Sequence, residues 1–240
     1  MRIKLENRAQ PSNFLLGATP VASVLITMVI GVIVFDLIGI NGFRAVVDIF
    51  LTPLLNPLKW QDVALKAAPL IIIALGLSVG NRAQIWNIGA EGQYVVGALC
   101  AAGVGIAAGT AGGPVIITAM VAAGIIGGAA YGFIPAVLRT RYSVNEILSS
   151  LMLTYVSYQI LGYLVGGPWK DPNGRNFPAT APLADNQVLP IIVPGTTVHL
   201  GVAIALLLPF VFWVLMSRSV FGFQIRAVGS APQAARYGGF

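Results

Sequence analysis

Long apolar runs dominate this chain, and its polar residues gather in the gaps between them. Crossing the hydrocarbon core of a bilayer takes roughly 20 apolar residues per helix. Six stretches come close to that length, near residues 18–40, 63–80, 88–109, 114–138, 147–167 and 198–216. They predict an all-α fold, a polytopic transmembrane helical bundle of about six spans occupying residues 1–216. Asp36 is the single charge of the first stretch, and the fourth holds none. The second carries Lys66 and Pro69 near its beginning, which predicts a kinked or partly interfacial start. Residues 43–60, with Pro53 and Pro57, read as an external interfacial helix or a re-entrant piece, and Trp60 suits the aromatic belt of a membrane interface. A polar, proline-rich loop from Pro168 to Thr197 precedes the sixth stretch. The first is longer than the apolar region of a cleavable signal peptide and has no convincing small-x-small site after it.

Composition strengthens this reading. Hydrophobic residues make up 57% of the chain and charged ones 9%, and the mean hydropathy is +0.84, which excludes an ordinary soluble domain. The 28 glycines and 15 prolines fit membrane helices, where neighbouring helices re-satisfy freed backbone groups. No three-residue glycine period suggests collagen. Cys100 and His199 each occur once, too few for a disulfide framework or a metal site of three or four ligands.

The charges set an orientation. With the amino terminus in the cytoplasm, Arg2, Lys4, Arg8, Arg82, Arg139, Arg141, Arg218, Arg226 and Arg236 fall inside, and Arg44, Lys59, Lys66, Lys170 and Arg175 fall outside. Basic residues favour cytoplasmic loops, so both termini are expected inside. The net charge of +6 then records topology and not a nucleic-acid partner.

Intramembrane polar residues are costly and become functional candidates. The densest group is NRAQIWNIGAEGQ, Asn81 to Gln93. Its Asn87, Glu91 and Gln93 suit either a helix cap or the lining of a wet cavity. Ser143 to Glu146 spells S-x-x-E before an apolar run, a capping-box signature. Downstream, Ser149, Ser150, Thr154, Ser157 and Tyr158 fall at spacings that share a helical face. Gly124, Gly128 and Gly132 recur every four residues and expose a strip of backbone, so that face is expected to meet another helix of the same subunit. The stretch Ser217 to Phe240 holds Arg218, Arg226 and Arg236 and no acid. Ser230 to Gln233 reads S-x-x-Q, which predicts a short helix over Gln233 to Tyr237 joined at Gly229 to a preceding one. A cationic cytoplasmic element of this kind either grips anionic lipid or docks on a soluble partner.

Three segments in order, NIGAEGQ at Asn87 to Gln93, NEILSSLMLTYV at Asn145 to Val156 and FGFQIRAVGSAPQAARYGG at Phe221 to Gly239, resemble the permeases of ATP-binding cassette (ABC) importers of the branched-chain amino acid and simple-sugar type. The nucleoside and simple-sugar subgroup is the nearest match. The resemblance implies a permease subunit in the bacterial inner membrane that moves a nucleoside or simple sugar inward. It implies as partners two cytoplasmic ATPase subunits, a second permease subunit and an external substrate-binding lipoprotein. Residues 217–240 would be the coupling loop, with Phe221, Gly222, Arg226, Ala227, Gly229, Pro232, Ala235, Arg236, Tyr237 and Gly238 meeting the ATPase. Pathway candidates are Asn87, Glu91, Gln93, Asn145, Glu146, Ser150 and Thr154. Family members continue for several helices beyond this loop, so the chain is expected to be a fragment.

Other classes fit less well. No lysine completes a G-x-x-x-x-G-K-[ST] phosphate loop, so ATP is expected to be used by a partner, and the chain itself is expected to be a transport subunit with no cofactor and no metal. Branched-chain amino acids are the alternative solute. A secondary transporter or channel would need ionisable relays, which the fourth and fifth stretches lack. An intramembrane enzyme would need paired carboxylates, a histidine cluster or a serine with its base.

Overall fold

A computed structural model describes residues 12–174 and 177–239 of the chain. Arg2, Lys4, Arg8, Arg175 and Phe240 therefore lie outside the described residues. Among the described residues ten α-helices form: α1 (Asn13–Leu37), α2 (Gly42–Phe50), α3 (Thr52–Leu55), α4 (Pro57–Arg82), α5 (Ala90–Ala108), α6 (Pro114–Tyr142), α7 (Glu146–Gly166), α8 (Leu200–Arg218), α9 (Val220–Ser230) and α10 (Pro232–Tyr237). A 3₁₀ turn, Asp185–Gln187, lies in the long loop. Six of these helices among the described residues are long and apolar enough to cross a membrane: α1 from Gly17, α4, α5, α6, α7 and α8. These are the six expected spans, and the largest boundary shift is in the second, which runs from Pro57 as one continuous helix through Pro69.

The chain divides into two contact units, residues 1–63 and 64–240. In the first, α2 folds back on α1. Asp36 accepts a hydrogen bond from the Gly42 amide at 2.7 Å, and Asn41 caps α2 by accepting from Arg44 N–H at 2.9 Å. Gly42 is buried against the Val32 backbone, where a side chain has no room. The mixed segment 43–60 thus becomes two short helices and the beginning of α4, and Asp36 is a capping acid.

In the second unit α5 and α6 form an antiparallel pair whose backbones meet around Gly97, Gly124 and Gly128. A Cβ on Gly97 would stand 2.9 Å from the Gly124 carbonyl oxygen, and one on Gly128 3.2 Å from that of Gln93. The glycine strip of α6 therefore packs inside the subunit, as its spacing predicts. Gly109 and Gly113 turn the chain between the two helices with φ of +60° and +99°, a region open mainly to glycine. Buried Gln187 seals this turn from the loop above, its amide donating to the carbonyls of Gly105, Gly109 and Ala111 at 3.1, 2.9 and 2.7 Å. Helix α7 runs parallel to α5 and also touches α6, where the Tyr131 hydroxyl donates to the Leu153 carbonyl at 2.6 Å. Elsewhere in this unit α8 meets α4 through Ala68, Val202 and Ala205, with Ala64, Leu65 and Val198 around them.

Two capping expectations are corrected. Ser143 does not cap α7. It ends α6 in a left-handed conformation, φ +54°, and Asn145 caps α7 by accepting from the amides of Ile147 and Leu148 at 2.9 and 3.3 Å. An amide side chain one residue before the helix wins because its oxygen already reaches both free N–H groups. Ser230 likewise does not cap α10, since its hydroxyl turns back to the Ala227 carbonyl. The junction falls at Ala231, with Pro232 at the first position of α10, a site where the missing proline N–H is harmless. Gly229 lies within α9 and serves as a contact surface.

Candidate functional site: two clefts and a docked terminal element

The start of α5 is built around close approach to α7. At Gly89 a Cβ would stand 2.8 Å from the Ser150 side chain, and at Gly92 2.9 Å from the Thr154 Cα. Ser150, Thr154 and Ser157 are the buried polar residues of this seam. Their hydroxyls donate to the carbonyls of Ile147, Ser150 and Thr154 within α7, at 3.2, 3.2 and 2.7 Å. Back-bonding of this kind satisfies the hydroxyl inside the helix. Ser150 also accepts from the Ile88 amide at 3.2 Å, tying the segment before α5 to α7. The shared polar face of α7 is thus chiefly a packing face.

Asn87 folds the same segment. Its side chain accepts from the Gly89 amide at 2.9 Å and donates to the Gln93 amide oxygen at 3.3 Å. Gln93 lies beside Gly132 of α6, where a Cβ would come within 3.0 Å of it. Glu146, at the first position of α7, pairs with Arg139 across the α6–α7 turn. A carboxylate at a helix start and a cation in a helix's last turn are both favoured by the amide dipoles, and Glu146 and Arg139 hold those two positions. Glu91, by contrast, turns outward and accepts from the phenol of Tyr158.

These contacts frame two clefts in the second unit. The smaller, about 390 Å³, is lined by Asn87, Gln93, Arg139, Glu146 and Ser150 together with Val228 of α9 and Pro232 of α10. The larger, about 710 Å³, lies along α5 and α7 and is bounded by the loop around Trp169 and Thr180. The structure therefore brings Asn87, Gln93, Glu146 and Ser150 together, leaves Asn145 as a cap, places Thr154 in the seam, and sends Glu91 toward the other cleft. Sequence reasoning missed Arg139, Tyr94 and Trp169. The opposite charges of Arg139 and Glu146, seven residues apart across a helix break, are a signal that could have shown the pair.

The terminal element docks on the ends of two spans. Ser219 caps α9 by accepting from the Gly222 amide at 3.1 Å. Gly222 is buried against the Met216 backbone, and the Arg226 guanidinium donates to the Met216 carbonyl. Gly229 lies against the last residue of α4, since a Cβ there would be 2.9 Å from the Arg82 carbonyl carbon and 3.1 Å from the Ala83 Cα. Of the coupling candidates, Gly222 and Ala235 are buried. Ala227 and Gly229 are half-buried, while Phe221, Pro232, Arg236, Tyr237 and Gly238 are exposed, Tyr237 almost completely. Arg226 is exposed as a residue although its guanidinium is tied to α8.

Comparison with known proteins decides the family. Residues 60–240 match the model of the branched-chain amino acid transport system / permease component family. The chain belongs to this permease family. By its description the family is that of a permease component of a transport system, which is not an enzyme. Similar proteins include the glucose ABC transporter permease protein of Haloferax volcanii, 32% identical across the whole chain and 65% of that protein. The guanosine ABC transporter permease protein of Bacillus subtilis is 32% identical over 72% of the chain and 50% of its own length. The nucleoside ABC transporter permease protein of Lactococcus lactis is 23% identical over 92% of the chain and 62% of its own length. The chain thus spans between half and two thirds of these relatives. No solved structure matches it.

Proposed function

We propose that the permease chain forms part of the membrane channel of an ABC importer that carries a nucleoside or simple sugar into a bacterial cell across its inner membrane. The observation that carries this reading is the docked α9–α10 element. Its glycines lie against the backbones of α8 and α4, while Phe221, Arg236 and Tyr237 stay open to a partner. A separate ATPase subunit would grip that exposed face. Because Gly222 and Gly229 leave no compressible side chain at either contact, a push on α9 passes to the ends of two spans as a rigid-body movement.

The same end of the second unit gathers the basic residues. Arg82, Arg139, Arg141 and Arg218 sit at the last turns of α4, α6 and α8, and Arg226 and Arg236 follow on α9 and α10. Positive charge of this density favours the cytoplasmic side, where an ATPase would be met. In this reading both ends of the chain would lie on that side. The relatives named for glucose, guanosine and nucleosides support a sugar or nucleoside over a branched-chain amino acid as solute. Two ATPase subunits, a second permease and an external binding lipoprotein complete the proposed assembly, with ATP consumed by the ATPases.

The test is reconstitution of the assembled complex in proteoliposomes. ATP-dependent accumulation of labelled nucleoside or sugar, lost when ATP is replaced by a non-hydrolysable analogue, is expected. Equal accumulation without hydrolysis would point to a channel or secondary carrier instead.

A further inference from the structure

The larger cleft has a lining chemistry that discriminates between candidate solutes. Tyr94 and Tyr158 flank it, Trp169 stands at its loop end, and small residues including Gly162 leave the space between α5 and α7 open. Trp169 lies against α5 because position 103 is glycine. A Cβ there would meet the indole ring at 3.2 Å. The polar side-chain groups of the lining are few: the phenols of Tyr94 and Tyr158, the latter bonded to Glu91, the Trp169 indole N–H and the Thr180 hydroxyl.

We propose that this cleft is a subsite for the planar base of a nucleoside. The inference rests on the importer reading above and names the solute class within it. Aromatic side chains bind flat heterocycles by stacking, worth about 1–3 kcal/mol per base. A volume of about 710 Å³ falls in the range of small-molecule sites. A free hexose fits the wall poorly. Its hydroxyls surround the ring, and each one left unpaired against apolar side chains loses a hydrogen bond to water. A nucleoside confines its hydroxyls to the ribose, which can lie at the Glu91 end while the base meets the rings. The Glu91 carboxylate accepts from ribose hydroxyls there, and its bond to Tyr158 holds it at the rim.

Photolabelling with 8-azidoadenosine of the assembled transporter tests this. Label is expected on peptides carrying Tyr94 or Tyr158, suppressed by excess adenosine and not by glucose. Gly162→Leu fills the cleft from a position where a new Cβ meets nothing within 4 Å, and it is expected to cut labelling at least tenfold. Gly166→Leu, equally unobstructed but outside the cleft lining, is expected to leave labelling unchanged. Label elsewhere in the chain, equal suppression by glucose, or indifference to Gly162→Leu would overturn the subsite. ATP-driven uptake measured on the same preparation separates the two readings: uptake of another solute with no labelling here sinks the subsite alone, whereas absence of ATP-driven uptake sinks the importer reading with it.

Discussion

Replacing Gly229 by alanine sets two effects of similar size against each other. Within α9 the change is favourable, because glycine in a helix interior is about 1 kcal/mol worse than alanine. Against α4 it is not. The added methyl would stand 2.9 Å from the Arg82 carbonyl carbon and overlap its oxygen, 1.9 Å away, so α9 must back away by roughly 1.5–2 Å to restore ordinary contacts of 3.5–4.0 Å. Overpacking against backbone that cannot rotate aside costs about 1–3 kcal/mol, leaving a net loss of about 0–2 kcal/mol once the helical gain is subtracted. Gly76→Ala is the control, because in the interior of α4 the new methyl meets nothing within 4 Å and only the gain of about 1 kcal/mol remains. Thermal unfolding of the purified chain and ATP-dependent uptake by the assembled complex are the two assays. Gly76→Ala is expected to melt higher, whereas Gly229→Ala melts no higher than the parent and transports several-fold more slowly at an unchanged level of membrane insertion. If Gly229→Ala is stabilised as much as Gly76→Ala and transports normally, α9 is not seated on α4 and the rigid contact is refuted.

Two further outcomes follow from particular contacts. Gln187→Leu removes the side chain that binds three carbonyls over the α5–α6 turn and is expected to lose about 2–3 kcal/mol, since each lost partner is worth about 1 kcal/mol. Melting and protease cleavage of the 168–199 loop would report it, and an unchanged cleavage rate would count against the clamp. Glu146→Lys places a cation beside Arg139 and at the start of a helix, and is expected to destabilise by about 1 kcal/mol. The exchange Arg139→Glu with Glu146→Arg should recover the pairing part of the loss, and a double variant no better than the single one would remove the ion pair from the account.

How far the sequence reached depended on the range of the interactions involved. Spans are encoded by uninterrupted apolar runs, so α5 to α8 lie within a few residues of their expected positions. The glycine repeat of α6 was legible because its period matches one helix face, and its partner on α5 is the next span along. Caps were read less well. Ser143 and Ser230 had suitable side chains at suitable spacing, but Asn145 stood closer to the start of α7 and took over the role there, while α10 begins at Pro232 with no side-chain cap. The polar face of α7 was visible in the sequence, whereas its use was not, because a serine facing Gly89 across a seam and a serine facing water have the same periodicity. Tyr94 and Trp169 come from segments 75 residues apart, and only the parallel packing of α5 and α7 brings them to one cleft.

The account stands on α9–α10 as the handle by which an external motor moves the spans, and cross-linking tests that most directly. With Cys100→Ser in place and Tyr237→Cys as the single thiol, a short bifunctional cross-linker in intact cells expressing the complete complex should join this chain to its ATPase subunit. The adduct should form at Tyr237→Cys and not at a thiol placed at Phe177, an exposed position of the 168–199 loop. An adduct to an external protein from Tyr237→Cys, or to the ATPase from Phe177→Cys, would contradict the proposed orientation and coupling together.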